Sequence, residues 1–307
     1  MTAAYRSCPV CGAGHETATL FLKNNISADK LSSFSFASRK TPEFMCHQLV
    51  RCNSCDLVYA NQPPSEEELS LAYHAADYDS SEEANDAAAA YMQAMQSALK
   101  NIASKVSALE IGTGTGVLLQ HLSSAGFNTL VGVEPSEAAI AAAPADRQPW
   151  IRHAMFHEAD FEPASFDLIC CFMTMEHVRD PKIIANSAFR LLRPGGAFVT
   201  VTHDYHSFVN RLLGKRSPII DIEHMQLFSK SSIEQLFNAA GFERVEVKAF
   251  ANTYSLSYWL RISPAPKFVK VAVSRLFGFF GWHKTKLSVN VGNAMTVGVK
   301  PTKLVSR

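Results

Sequence analysis

From residue 106 onward, short apolar runs alternate with helical stretches, and that alternation predicts a parallel α/β sheet. Val106 to Ile111 reads as a strand entering a glycine-rich turn, followed by a helix through Leu122 that Gly126 closes. Thr129 to Val133, Phe166 to Phe172 and Ala197 to Thr202 read as further strands, the last after the turn Arg193-Pro-Gly-Gly196. A helix over 232–240 places Ile233, Leu236, Phe237 and Ala240 on one face, with Ser231 and Glu234 spaced as a capping box and Gly241 as its stop. Glu243 to Phe250 and Asn293 to Val299 read as a closing pair of strands. Upstream, Ala88, Tyr91, Met92, Met95, Leu99 and Ile102 fall on one face of a helix predicted from Glu82 to Lys105. Tyr73 and Tyr78 sit before it in a polar segment suited to fold over a pocket. Asn61-Gln-Pro-Pro64 breaks the chain. The expected organisation is an N-terminal module over 1–62, a helical linker and cap over 63–105, and an α/β domain over 106–307 with a segment inserted at about 254–288.

Composition changes this picture little and excludes much. In 307 residues, 47% are hydrophobic and 19% charged, so a disordered chain is excluded, and a net charge of +1 leaves no overall footprint for nucleic acid. No run approaches the length of a spanning helix, and the start lacks a signal-peptide apolar core, so a cytoplasmic location is the expectation. The cysteines carry more information. Seven are present, and four form two Cys-x-x-Cys pairs, Cys8 with Cys11 and Cys52 with Cys55. Two such pairs supply the four thiolates of a closed structural Zn2+ site, and Gly12 and Asp56 after the pairs suit the tight turns of zinc knuckles. A redox pair would need a preceding strand and a helix beginning at the first cysteine, and neither is visible at Cys8.

Leu109-Glu110-Ile111-Gly112-Thr-Gly114-Thr-Gly116 follows a strand and opens a helix, so its glycines let a ligand approach the backbone and the free donors of the helix start. Glu134 ends the next strand, where a carboxylate accepts hydrogen bonds from ribose hydroxyls. A dinucleotide fingerprint needs a third glycine at 117, and this chain has Val117. An acid followed by G-x-G-x-G resembles the first motif of class I S-adenosylmethionine-dependent methyltransferases. The resemblance covers residues 106 to about 250 and rests also on Glu134, on the strand from Phe166-Asp167 to Glu176-His177-Val178, and on Leu192-Arg-Pro-Gly-Gly196. It implies a Rossmann-like class I methyltransferase sheet and S-adenosyl-L-methionine as cofactor. It also implies a glycine loop of Gly112, Gly114 and Gly116 under the methionine part, with Glu110 orienting its amino group. For the adenine-contacting acid expected after the third strand, Asp160 is the candidate, with Phe161 beside it to pack on the ring.

Transfer of a methyl group from a sulfonium is an in-line displacement, so positioning dominates, and a hydroxyl or acidic C–H acceptor also benefits from a general base. Among eleven histidines, His224 stands out in Asp221-Ile-Glu223-His224-Met-Gln-Leu-Phe228-Ser229, a loop after the fifth strand with Glu223 and Asp221 near enough to orient an imidazole. The stretch is similar to the Glu-His…Phe-Ser segment of zinc-containing sugar C-methyltransferases, which share the four-cysteine module. The resemblance implies His224 as base with Glu223 beside it, and a small-molecule acceptor such as a sugar or nucleotide-sugar. Those enzymes carry a further C-terminal domain that this chain is expected to lack. His177 reads as a structural feature of a helix start, His203 and His206 as residues lining the acceptor pocket, and Cys170 and Cys171 as core.

Two features remain. The insertion, with Tyr258, Trp259, Pro264, Lys267, Lys270, Arg275 and Trp282, reads first as a lid packed on the sheet or on a second subunit, and second as a peripheral membrane contact through 258–286. Arg211, Lys215 and Arg216 stand in a loop where a phosphate of a nucleotide-linked substrate would be held. Two other functions compete. An RNA methyltransferase using the zinc module for recognition is disfavoured, because residues 1–60 set Arg6, Lys23, Lys30, Arg39, Lys40 and Arg51 against Glu16, Asp29, Glu43 and Asp56. A non-catalytic binding scaffold is disfavoured by the intact glycine loop and Glu134.

Overall fold

Strand order decides where a ligand sits in a sheet of this kind. In the computed structural model, which describes residues 5–32, 35–36, 43–78, 81–263 and 265–302, the chain opens with β1 (Ala18–Leu22), β2 (Leu49–Cys52) and β3 (Val58–Ala60). Helices α1 (Glu66–His74), α2 (Ser81–Ala94) and α3 (Gln96–Asn101) follow. The α/β region runs β4 (Ser107–Ile111), α4 (Val117–Ser124), β5 (Thr129–Glu134), α5 (Glu137–Ala141), β6 (Ile151–His153), β7 (Phe166–Phe172), α6 (Pro181–Leu191) and β8 (Leu192–His203). Then come α7 (Phe208–Leu213), β9 (Gln226–Leu227), α8 (Lys230–Ala240) and β10 (Glu243–Ala249). The last group is β11 (Asn252–Ser255), α9 (Leu256–Ile262), α10 (Lys267–Phe280), β12 (Lys286–Val289) and β13 (Asn293–Val299). Residues 1–4 at the chain start, Arg39, Lys40 and Pro264 lie outside the described residues.

The main sheet has the order β10-β13-β8-β7-β4-β5-β6. Strands β4 to β8 run parallel to their neighbours, whereas β13 is antiparallel to both β8 and β10. The chain leaves β4 toward β5 on one side and later returns to β7 on the other, so the switch point lies at the carboxyl ends of β4, β5 and β7. This is a Rossmann-like sheet, as the sequence resemblance implies. Strand β7 is buried along its whole length, as a strand covered on both faces must be. Ile169 and Cys171 point to the face covered by α6 and α8, and Leu168, Cys170 and Phe172 to the face covered by α2, α3 and α4. Cys170 and Cys171 are therefore core residues on opposite sides of the sheet.

The N-terminal module is stitched into this sheet's surroundings. Strand β9, far along the chain, pairs with β3 through Val58 with Leu227 and Tyr59 with Gln226. Its four-stranded sheet is thus β1-β2-β3-β9, and Cys8, Val10 and Tyr59 share one apolar cluster with Phe198 and Phe237 of the main domain. The Arg6 guanidinium donates to the carbonyls of Ala60 (2.7 Å), Arg179 (2.5 Å) and Met225 (3.1 Å). The fully buried Gln226 amide nitrogen donates to the Met175 and Val178 carbonyls at 2.5 and 2.8 Å.

Three local expectations are corrected. The helix expected to run unbroken over 82–105 divides at the fully buried Met95 and ends at Asn101, while the bonds Met95 N–H to Tyr91 and Leu99 N–H to Met95 continue across the break. The capping box is Ser229 with Ser232, two residues earlier than the Ser231 and Glu234 spacing suggests. The earlier start is favoured by a tertiary tie, since buried Ser229 also donates to the Asp56 carbonyl. The segment Arg193 to Gly196 is a bulge within β8, because Leu192 already pairs with Phe166 and Ala197 with Leu168. A Cβ on Gly196 would lie 2.9 Å from the Asp167 carbonyl oxygen, so only glycine passes there.

Gln226→Leu nearly keeps side-chain volume and removes the donor from the buried Met175 carbonyl and the half-buried Val178 carbonyl, so it is expected to cost about 2–4 kcal/mol in a denaturant melt. An unchanged midpoint would show that the Gln226 bridge does not hold β9 to the Met175–Val178 turn.

Candidate active site

The cofactor end is built by β4 and its turn. Gly112 (φ +76°) has no room for a side chain, since a Cβ would lie 2.3 Å from Thr174 Oγ1. Gly114 (φ +54°) is the opposite case. A Cβ there meets nothing within 4 Å, because that face of the loop opens into a cavity. Gly116 (φ +69°) caps α4 and packs toward Arg147 and Ile151, behind the loop. Glu110 is buried below the loop, where its carboxylate accepts from the Thr113 hydroxyl at 2.5 Å. Burial pushes its carboxyl up to about 8, with the Glu134 charge adding to the shift. Glu134, at the end of β5, accepts from Gly114 N–H at 2.7 Å and Ser136 N–H at 2.9 Å; burial raises its pKa against those two bonds. A buried acid beneath a ligand-facing turn and a second acid at the next strand end fit a nucleoside carrying a cationic amino-acid tail. Asp160 is placed elsewhere: it is exposed at the end of one 3-10 turn and does not line the cavity. The neighbouring positions that do line it are Met155, Phe156 and His157. Phe161 packs against Phe156 and Phe166 and under the Arg152 guanidinium.

The other end of the site is built by the loops after β7 and β8. Chain reversal after β7 puts Met173 in the left-handed region (φ +52°) and turns Glu176 and His177 back toward the sheet end. The loop after β8 brings Glu223 and His224 to the same place. The His177 and His224 rings lie 4.9 Å apart, His203 and His224 5.8 Å apart, and Glu223 Oε2 is 3.7 Å from His177 Nδ1. His224 Nδ1–H donates to the Ile219 carbonyl at 2.8 Å, which puts the basic lone pair of the neutral ring on Nε2. The Asp221 carboxylate accepts from the backbone N–H of Glu43 and of Ile222. His203 Nδ1–H donates to Asn293 Oδ1 at 2.9 Å, and burial lowers its pKa to about 4, so it stays neutral. Glu176 accepts from His203 N–H at 2.6 Å, and burial pushes its carboxyl up to about 7. The Tyr73 hydroxyl reaches the Glu223 carbonyl at 3.5 Å, and its ring meets His177 edge-on.

One cavity of about 1410 Å3 joins the two ends. Its wall includes Gly112, Gly114, Glu110, Glu134, His177, His203, Glu223 and His224, and Tyr73 and Tyr78 border it as the sequence suggests. His206 is corrected: it is exposed, outside the cavity, with Nε2–H donating to the Asp56 carboxylate at 2.7 Å. Of the three bases 211, 215 and 216, Arg216 lines the cavity. Sequence reasoning set His177 aside and missed Asn252 and Asn293, which line the wall from the first residues of β11 and β13. An asparagine opening a strand carries no pattern that marks it. The insertion contributes Trp259, Ile262 and Lys270 to the wall, and Phe36 and Phe44 come from the N-terminal module.

The four paired cysteines converge although Cys11 and Cys52 are far apart in sequence. Cys8 and Cys55 sulfurs lie 3.4 Å apart, Cys11 and Cys52 sulfurs 3.5 Å apart, and all four lie within 4.8 Å of one another. A tetrahedral zinc with Zn–S near 2.3 Å needs sulfurs about 3.8 Å apart, so the donor set fits. Gly12 (φ +78°) and Asp56 (φ +65°) both adopt the left-handed turn. Asp56 also receives the Tyr205 hydroxyl at 2.7 Å, tying the second knuckle to the loop after β8.

A family model described as a methyltransferase domain matches residues 83–247, more than half of the chain. The chain belongs to this methyltransferase family. It is 26% identical over 152 residues to the ubiquinone biosynthesis O-methyltransferase of Aromatoleum aromaticum, covering 45% of this chain and 64% of that one. It is 30% identical over 137 residues to a probable S-adenosylmethionine-dependent methyltransferase of Mycolicibacterium smegmatis, covering 44% and 51% respectively. The matches thus span less than two thirds of these relatives' own lengths. A SAM-dependent methyltransferase of Archaeoglobus fulgidus overlays with a TM-score of 0.48 at 12% identity, over 69% of this chain and 94% of that one.

Glu110 and Glu176 give the cofactor-free protein a pH signature. Their ordinary value is 4.5, so above it the native state holds protons that the unfolded chain has lost. That stability is fully present below 4.5 and disappears as pH rises through about 7 and 8. The thermal midpoint should fall from about pH 6.5 to about 8.5, and Glu110→Gln should flatten the slope. A midpoint that rises over this range in both proteins would contradict the burial of these protons.

Proposed function

We propose that the chain transfers the methyl group of S-adenosylmethionine to a hydroxyl or acidic C–H of a small-molecule acceptor, a sugar or nucleotide-sugar being the leading class. The observation that carries this reading is one cavity with the glycine loop and its two carboxyls at one end and the His177, His203, Glu223 and His224 cluster at the other. Its volume exceeds the 300–1,000 Å3 typical of a single ligand site, which suits a cofactor and an acceptor side by side.

Glu110 takes the amino group of the methionine tail, and the cation draws its carboxyl back to the ionised form. Glu134 takes the ribose hydroxyls through its remaining lone pairs, and Gly112, Gly114 and Gly116 hold the loop close. When bound, the cofactor supplies an electrophilic methyl on a sulfonium. His224 accepts the acceptor's proton at Nε2, with Nδ1–H fixed by the Ile219 carbonyl; Glu223, with a carboxylate oxygen within 4.8 Å of a His224 ring nitrogen, favours the charged imidazole that results. Met155 and Phe156, rather than Asp160, supply an apolar wall for the adenine. Cys8, Cys11, Cys52 and Cys55 hold a structural Zn2+ that supplies no reactive position, because four thiolates close its shell.

A second reading, O-methylation of an aromatic hydroxyl, is favoured by Tyr254, Tyr258 and Trp259 in the acceptor wall and by the O-methyltransferase relative. The same base serves both.

Calorimetric titration with S-adenosylmethionine and its demethylated product tests the first step. Micromolar binding is expected, abolished in Gly114→Arg, and binding that survives the arginine would sink the cofactor placement. A panel of nucleotide-sugars and phenols, read by release of S-adenosylhomocysteine, then separates the acceptor classes. In the active assay, His224→Asn should lower kcat by about 10²–10⁴-fold with cofactor affinity unchanged. A variant within about twofold of the parent would remove His224 from the base role. Elemental analysis is expected to give one zinc per chain, lost together with thermal stability in Cys8→Ser. Full stability without zinc would contradict the structural role.

A further inference from the structure

We infer that α10 docks this chain onto the surface of an anionic lipid bilayer. None of its 14 residues is buried. Val269, Val273 and Phe277 form the half-buried inner stripe, and the helix rests mainly on α9 and the turn Trp282–Lys284. The outer stripe is also apolar: Phe268, Ala272, Leu276 and Phe279 recur at i, i+4, i+8 and i+11, with Phe268 76% and Phe279 83% exposed. At the helix end, Trp282 stacks on Phe280 with ring centroids 4.7 Å apart, and both are exposed. A contiguous exposed apolar patch of this kind marks a surface that meets a partner or a membrane.

Charge identifies the cover. Residues 247–307 contain no aspartate or glutamate, although the whole chain carries only +1. Lys267, Arg275 and Lys284 flank the apolar stripe and are exposed, whereas Lys286 is engaged by Asp86 and Lys270 by the Arg261 carbonyl. Among the described residues no helix is long and apolar enough to cross a membrane, and α10, about 21 Å long, falls short of the roughly 30 Å hydrocarbon core. A short helix with apolar residues, aromatics at its end and cations beside them lies in the headgroup region of an anionic leaflet. A second copy of this chain packed two-fold on the same face would bring these cations against each other, with no acid in the segment to offset them. Helix α9 precedes α10 and lines the cavity, so docking sets the cavity's α9 side against the lipid. The inference stands on this surface alone and is independent of the acceptor's identity.

Flotation of the full chain with vesicles decides it. Binding is expected to vesicles of phosphatidylcholine with about 30% phosphatidylglycerol, to be weaker on phosphatidylcholine alone, and to be lost at about 1 M salt. Phe268→Ser with Phe279→Ser should reduce binding by at least about tenfold, and Lys267→Glu with Arg275→Glu by at least about fivefold per site. Thermal midpoints and cofactor titrations confirm that each variant is folded. Absence of binding by the folded parent protein overturns the proposal. So does a lipid-free dimer that the paired serine variant converts to monomer, which would assign the face to a second copy.

Discussion

Two backbone pairings, Val58 with Leu227 and Tyr59 with Gln226, join the beginning of the chain to the loop that carries Glu223 and His224. Much of the histidine end of the cavity depends on that seam. Loops after parallel strands are free to move unless something fixes their far ends, and here the far end is a strand in another sheet. Arg6 reinforces the seam by donating to Ala60, Arg179 and Met225, and so spans the loop after β7 as well as the loop after β8. Gln226 does the same from below, through Met175 and Val178. His177 and His224 meet because both loops are anchored to one module.

This arrangement gives the four-cysteine cluster a role at a distance. Cys52 pairs within β2, Asp56 reaches Tyr205 and His206, and Ser229 caps α8 while bonding Asp56. Holding the two knuckles together therefore also holds both ends of the segment from Asp204 to Phe228. The cluster acts here through geometry, by fixing the direction from which His224 enters the cavity.

Burial does different work at the two ends of the cavity. Burial raises the carboxyls of Glu110 and Glu176 because it outweighs the hydrogen bonds from the Thr113 hydroxyl and the His203 N–H. His203 is kept neutral by the same desolvation acting in the opposite sense.

The glycine loop, its two acids, the cysteine pairs and the strands β4, β5, β7 and β13 were legible in the sequence, because each rests on local spacing: period two in strands, glycines where φ is positive, thiols in pairs. The candidate base His224 was legible through its neighbours. What the sequence could not order was anything set by contacts between distant segments. The start of α8 at Ser229 depends on Asp56, the departure of His206 from the cavity depends on the same residue, and Asp160 lies outside because a single 3-10 turn ends with its side chain in solvent. His177, Asn252 and Asn293 reach the cavity only because strand order places three loop ends together. By itself the sequence determined the elements and the chemistry they carry, since these follow from local conformational preference and residue type. The tertiary structure alone decided which of those residues share a site, since that depends on pairings such as β3 with β9, and no local pattern encodes their partners.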